Sequence, residues 1–303
     1  MRSNIDIRFL PAVIVPSLLL RYITRRSQRK KIDSNTFQAF LCLIVASGGL
    51  YILMNFFILL LTTGQTSANN IMYDYGFPVH LARYILGAIV FVAELYLILQ
   101  KLLPATHEDA SEHKEDGTEH KEEESETEEE GFSVKYRYDF IIIGAAMGTG
   151  LSIMMSGIQF LRFLDGHYLL IIDDFMLFFF FLAVFLAPIY ILCGMAAGYH
   201  SALYQFDKEE YPNARIAALI EPAFIFITYH ILMYFFWTNY YVNSNQDTGL
   251  IFLLLLVACF IWWYIVARKR SNKMLELDKK IIDSEPIEQE TETETINQEQ
   301  ENK

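Results

Sequence analysis

Apolar residues in this chain gather into long blocks separated by short polar or charged stretches. A block of about 20 residues, rising about 1.5 Å per residue, crosses a hydrocarbon core of about 30 Å. Inside lipid every backbone N–H and C=O must be paired within the segment, so each block is expected to be a helix. The blocks fall at about 9–24, 37–62, 82–103, 139–160, 175–199, 216–237 and 249–267, which predicts seven transmembrane helices. The expected fold is therefore an all-α, polytopic membrane helix bundle. The first block is the shortest and holds Pro11 and Pro16, with Arg21 placed to snorkel to the interface and lengthen it.

Charge orients the bundle. With the N-terminus outside, the inner segments collect Arg21 to Lys31, Lys101, Lys135, Arg137, Lys208, Arg215 and Arg268–Lys269–Arg270. The outer segments hold only Arg2, Arg8, Arg83 and Arg162. The positive-inside rule then puts the C-terminus in the cytosol, and a cell-membrane location is expected. Aromatic anchors agree: Trp237, Tyr240 and Tyr241 close the sixth block outside, and Trp262, Trp263 and Tyr264 close the seventh inside. Phe9 to Leu20 is apolar, but its charges follow rather than precede it, so it is not expected to be a cleavable signal peptide.

The net charge of −12 is concentrated in two places. Residues 106–130 carry −11 and residues 271–303 carry −6, leaving the remainder at +5. The expected organisation is helices one to three in 1–103, an acidic cytosolic loop at 104–136, helices four to seven in 137–270, and an acidic cytosolic tail at 271–303. Nothing in this balance points to nucleic acid; the expected surroundings are a lipid bilayer and membrane-protein partners. The loop repeats Glu-His-Lys-Glu at 112–115 and 119–122, and its composition reads as a solvated tether. A sharper alternative is weak divalent-metal binding by His107, His113 and His120 with the carboxylates. No cofactor and no resident metal are expected. Cys42, Cys193 and Cys259 all lie in apolar blocks and read as buried thiols, not as a disulfide framework.

Ionisable residues inside apolar blocks are expensive and mark candidate sites. Glu94 lies near the middle of the third block and His230 near the middle of the sixth. Residue counting puts them roughly 7 Å apart in depth. Each also has a bland reading: Glu94 as a protonated acid bonded between helices, His230 as a neutral ring bonded to a carbonyl. Weaker candidates are Asp173 and Asp174 at the outer mouth of the fifth block, and His200 and Glu221 near inner helix ends. Asn55 reads as interhelical glue. Gly144, Gly148 and Gly150, with Gly194 and Gly198, have the small-residue spacing that lets helices pack closely.

The stretch Tyr-Asp-Phe-Ile-Ile-Ile-Gly-Ala-Ala-Met-Gly-Thr-Gly at 138–150 resembles the fourth helix of the PrsW-type intramembrane proteases. The Pro-rich opening followed by Arg21-Tyr22, the Gly194-x-x-x-Gly198-Tyr199 ending and the Trp262-Trp263 ending are also similar to that family. The resemblance spans nearly the whole membrane body. It implies a Glu-Glu pair with a Lys three residues on, where this chain has Ala93-Glu94 and Leu97. It also implies a Glu-Asn pair where Met155 and Ser156 stand, a His where Tyr190 stands, and a partner for His230 where Tyr234 stands. Membrane peptide hydrolysis needs one group to activate water and another to protonate the leaving amine. Glu94 and His230 are the catalytic residues that the resemblance leaves. The implied function is a non-catalytic or weakly active member that binds a membrane protein or transmembrane helix. The alternatives are an active intramembrane endopeptidase cleaving single-span proteins, and a transporter, channel or receptor.

Overall fold

The computed structural model describes residues 10–26, 49, 77–102, 134, 136–164 and 185–284. The regular elements among them are helices. They are α1 (Leu10–Arg25), α2 (Phe77–Leu97, ending in a π turn at Ile98–Leu102), α3 (Arg137–Leu164), α4 (Ala187–Phe206), α5 (Ala214–Trp237, ending in a π turn at Thr238–Val242) and α6 (Gln246–Ser284). Three stretches are long and apolar enough to cross a membrane: Arg137–Ser156, Ala214–Tyr240 and Gln246–Ile281. A shorter apolar stretch runs through Tyr84–Gln100. Apart from Gly49, the expected second helix with Asn55 and Cys42 lies outside the described residues, as do Asp173, Asp174 and 175–184. The acidic loop at 106–130, with His107, His113 and His120, and residues 285–303 also lie outside them.

The core is the α3–α4 pair. A Cβ on Gly144 would overlap the carbonyl oxygen of Gly194, and one on Gly194 would overlap that of Gly144. Cβ atoms on Gly148 and Gly198 would likewise run into the carbonyls of Tyr190 and Phe140. The two backbones therefore touch, antiparallel, along the glycine stripe, as the small-residue spacing predicts. From Phe140 to Ser152 α3 is buried on every side.

The other helices line up around this pair. Cys193 Sγ lies 3.5 Å from the Pro222 carbonyl, and the pairs Tyr190–Phe226 and His200–Glu221 at two levels set α5 antiparallel beside α4. Tyr84 stacks on His230 and Phe91 packs against Phe226, which sets α2 antiparallel to α5. The end of α1, the end of α2, the start of α3, the end of α4 and the start of α5 then share one end of the bundle with Arg270. That basic end gathers Arg25, Arg26, Arg137, Lys208, Arg215 and Arg268 to Arg270. Large apolar side chains face outward on α5 (Ile216, Ile220, Phe224) and α6 (Ile251, Leu254, Ile261, Trp262, Ile265), as on helices that face lipid.

Helix α6 outruns its apolar block. The expected acidic tail begins at 271, yet the helix continues to Ser284. Ser271, Met274 and Asp278 are buried at heptad-like spacing, continuing a stripe from Ala267. Asp278 accepts hydrogen bonds from the backbone N–H groups of Arg137 (3.1 Å) and Tyr138 (2.8 Å). A helix start leaves its first N–H groups without intrahelical acceptors, and an acidic side chain there also suits the helix dipole. Asp278 thus caps α3 from another helix. Arg137 in turn forks onto Asp207 at 2.7 and 3.1 Å, and the Tyr138 hydroxyl donates to the Ile23 carbonyl at 3.0 Å. Asp278→Ala is expected to cost about 1–2 kcal/mol, the upper range for a lost cap. It should also speed tryptic cleavage at the exposed Lys279 and Lys280. Unchanged cleavage would show that the cap does not hold the extension down.

Candidate functional site

Glu94 and His230 do not meet. His230 on α5 sits in a box of rings, stacked on Tyr84 at 5.0 Å with Phe226 at 4.3 Å and Tyr229 at 5.1 Å. Glu94 is ten positions beyond Tyr84 on α2, roughly 15 Å further along the axis. The separation is about twice that given by residue counting, because the helix pairing sets the register and a count from the block ends does not. Glu94 is 3% exposed. Neither of its carboxyl oxygens, nor His230 Nε2, has a hydrogen-bond partner among the described residues.

Rings fill the space between them. Phe91, Tyr190 and Phe226, from α2, α4 and α5, form a triangle with centroids 5.5–5.7 Å apart. Tyr190 occupies the position where the resemblance implies a histidine. Tyr234, at the other implied partner position, packs on Phe77 at 5.4 Å. Met155 packs against the core, and the Ser156 hydroxyl is buried without a partner among the described residues.

The polar groups that do converge lie elsewhere. Glu221 Oε2 is 2.6 Å from His200 Nε2, and Glu221 Oε1 accepts from Arg270 Nη1. One carboxylate thus ties together α4, α5 and α6 at the basic end. The Arg270 guanidinium also lies over the Tyr199 ring at 4.9 Å. Glu221 precedes Pro222, whose missing N–H removes one helical hydrogen bond from α5 at this level. A small cavity of about 10 Å³, room for about one water, lies beside the cluster, and Glu221, Arg270, Ser271, Ile141, Met195 and Trp263 are among its lining residues.

His200 and Glu221 stood as weaker candidates in the sequence, and their pairing is a product of helix rotation. Arg270 was legible there only as part of a positive run. Asp278 had one signal, the stripe Ala267, Ser271, Met274, Asp278 continuing past the apolar block. No group of residues suited to a metal ion occurs among the described residues. Cys193 is buried and free, and Cys259 is free and half-buried. Against known protein families, curated proteins and solved structures, the chain finds no match.

Proposed function

We propose that this chain is a multi-pass membrane protein, resembling the PrsW-type intramembrane proteases, that binds a membrane-protein partner and does not hydrolyse it. The observation that carries this reading is the ring triangle Phe91–Tyr190–Phe226. It stands where an acid, a base and a water would have to converge. Glu94 lies on one side of it and His230 on the other, too far apart to act on one peptide bond. Fold likeness carries no chemistry when the reacting groups are missing. What remains is a bundle with buried polar side chains and wide apolar outer faces, which are the elements by which membrane helices recognise each other.

The test is co-expression with a panel of tagged single-span membrane proteins, comparing wild type with Glu94→Gln and His230→Ala at matched expression. The expected result is no cleavage by any of the three, with one panel member co-purifying with wild type. Cleavage by wild type that both substitutions abolish would overturn the reading and make Glu94 and His230 catalytic. Stability gives a second readout. Among the described residues the Glu94 carboxyl has no hydrogen-bond partner, so Glu94→Gln should shift unfolding by less than about 1 kcal/mol. A larger loss would reveal a charged or hydrogen-bonded role for the carboxyl.

A further inference from the structure

We propose that the acidic tail at 285–303 folds back along the extension of α6 and lies on its exposed basic face. Glu288, Glu290, Glu292 and Glu294 are then set against Arg268, Lys269, Lys279 and Lys280. This goes beyond the partner-binding reading and does not depend on it.

The surface is a held one. Ser271, Met274 and Asp278 are buried against the bundle, and Asp278 binds the start of α3, so the opposite face of the extension is presented on a fixed support. At 3.6 residues per turn, Arg268, Lys269, Asn272, Glu276, Lys279 and Lys280 fall within about 120° of arc on that face. All of them are exposed. None of the four cations forms an ion pair among the described residues. Lys273 stands apart, because its ammonium donates to the Tyr211 hydroxyl at 2.9 Å. Glu276 is the one acid in the arc, which leaves the face clearly positive. Arg26 Nη2 donates to Asn272 Oδ1 at 2.7 Å, which brings the end of α1 and the exposed Arg25 beside the same face. Like charges at this spacing repel, and an anion laid among them relieves it.

The tail has the matching pattern. Glutamate recurs at every second position from Glu288 to Glu294, with Gln289, Thr291 and Thr293 between. An extended chain turns alternate side chains to opposite faces, so the four carboxylates share one face over about 20 Å. Arg268 to Lys280 covers about 18 Å of helix axis. Pro286 cannot prolong α6, and the residue before a proline is pushed out of the helical region. Glu285 to Ile287 can therefore reverse the chain, which starts Glu288 near Lys280 and brings Glu294 to Lys269 and Arg268. Exposed ion pairs are individually weak, but Glu288 follows Lys280 by only eight residues, and so short a tether gives a high effective concentration. Lipid fits the face less well. Exposed apolar residues on α6 end at Ile265. Lys279 lies about 21 Å further along the axis, or about 16 Å in depth at a tilt of about 40°. A headgroup layer is roughly 5–8 Å deep, so it reaches Arg268 and Lys269 and leaves Lys279 and Lys280 unmatched.

Zero-length crosslinking tests the contact. The full-length chain is purified in a neutral detergent as a mixture of unlabelled and heavy-isotope-labelled protein, treated with a water-soluble carbodiimide, and mapped by mass spectrometry. Amide links from Glu288–Glu294 to Lys269, Lys279 and Lys280 are expected, each within a single chain. Raising salt from about 0.1 M to about 1 M shortens the screening length from roughly 10 Å to roughly 3 Å and should lower their yield roughly five-fold. Glu290→Thr with Thr291→Glu, combined with Glu294→Thr and Thr295→Glu, keeps the composition and follows the end of α6. It divides the carboxylates between the two faces of an extended chain and should lower the yield roughly two-fold or more. In nanodiscs containing phosphatidylglycerol the links at Lys279 and Lys280 should persist. Absence of tail links, or links from residues 106–130 in their place, would overturn the proposal. So would links that join heavy to light chains, an equal yield from the rearranged tail, or loss of the Lys279 and Lys280 links in the anionic lipid.

Discussion

Gly194→Ala is expected to destabilise the bundle by about 3 kcal/mol, at the top of the range for overpacking a core. The new methyl would overlap the carbonyl oxygen of Gly144. That oxygen belongs to a helical backbone and cannot swing aside as a side-chain tip can. Relief requires α3 and α4 to move apart, which opens the contact on which the rest of the bundle is built. Gly144→Ala should cost as much, and the pair should cost less than the sum, because one separation relieves both clashes. Gly87→Ala is the control on α2. Its methyl would meet only the Phe226 ring, at 3.7 Å, an ordinary contact. The substitution should be neutral or gain up to about 1 kcal/mol of helix propensity. Unfolding of the purified protein in mixed micelles, followed by near-ultraviolet circular dichroism, measures both. Equal behaviour of Gly194→Ala and Gly87→Ala would show that α3 and α4 are not in backbone contact.

Glu221→Ala is the second large effect, with an expected loss of about 2–3 kcal/mol. Removing one member of a buried pair costs about 3–5 kcal/mol because the partner charge is stranded. The Glu221 and Arg270 side chains are each 26% exposed, so water recovers part of that. Both Arg270 and His200 lose their acceptor together, and α4, α5 and α6 lose their common tie. Replacing the whole cluster is different. Glu221→Leu with Arg270→Leu and His200→Phe leaves no stranded charge and should recover most of the stability. If Glu221→Ala and the triple variant unfold alike, the cluster holds the helices by packing alone and the ion pair is incidental.

The sequence was a good guide wherever the signal was local. A run of apolar residues fixes a helix by itself, since backbone groups in lipid have no other partners. The block at 139–160 became Arg137–Leu164, 216–237 became Ala214–Trp237, and 9–24 became Leu10–Arg25. Small-residue spacing is local as well, and Gly144, Gly148, Gly194 and Gly198 form the seam it predicts. The end of α6 was less legible, because hydropathy drops at Arg268 while the helix runs on to Ser284 as a buried stripe.

Which polar residue meets which was not a local matter. Depth along separate helices puts Glu94 and His230 at similar levels, but contact depends on helix pairing, rotation and register. Those are set by the α3–α4 seam and by the rings stacked between α2 and α5. They put Phe91, Tyr190 and Phe226 between the two and turned Glu221 toward His200 and Arg270. They also carried Asp278 to the start of α3, 140 residues away in the chain from Tyr138. By itself the sequence determined the all-helical character of the described segments, their spacing signals and the clustering of charge. Only the tertiary structure decided the site, because a side-chain pairing between helices depends on rotations of a few tens of degrees that no hydropathy pattern records.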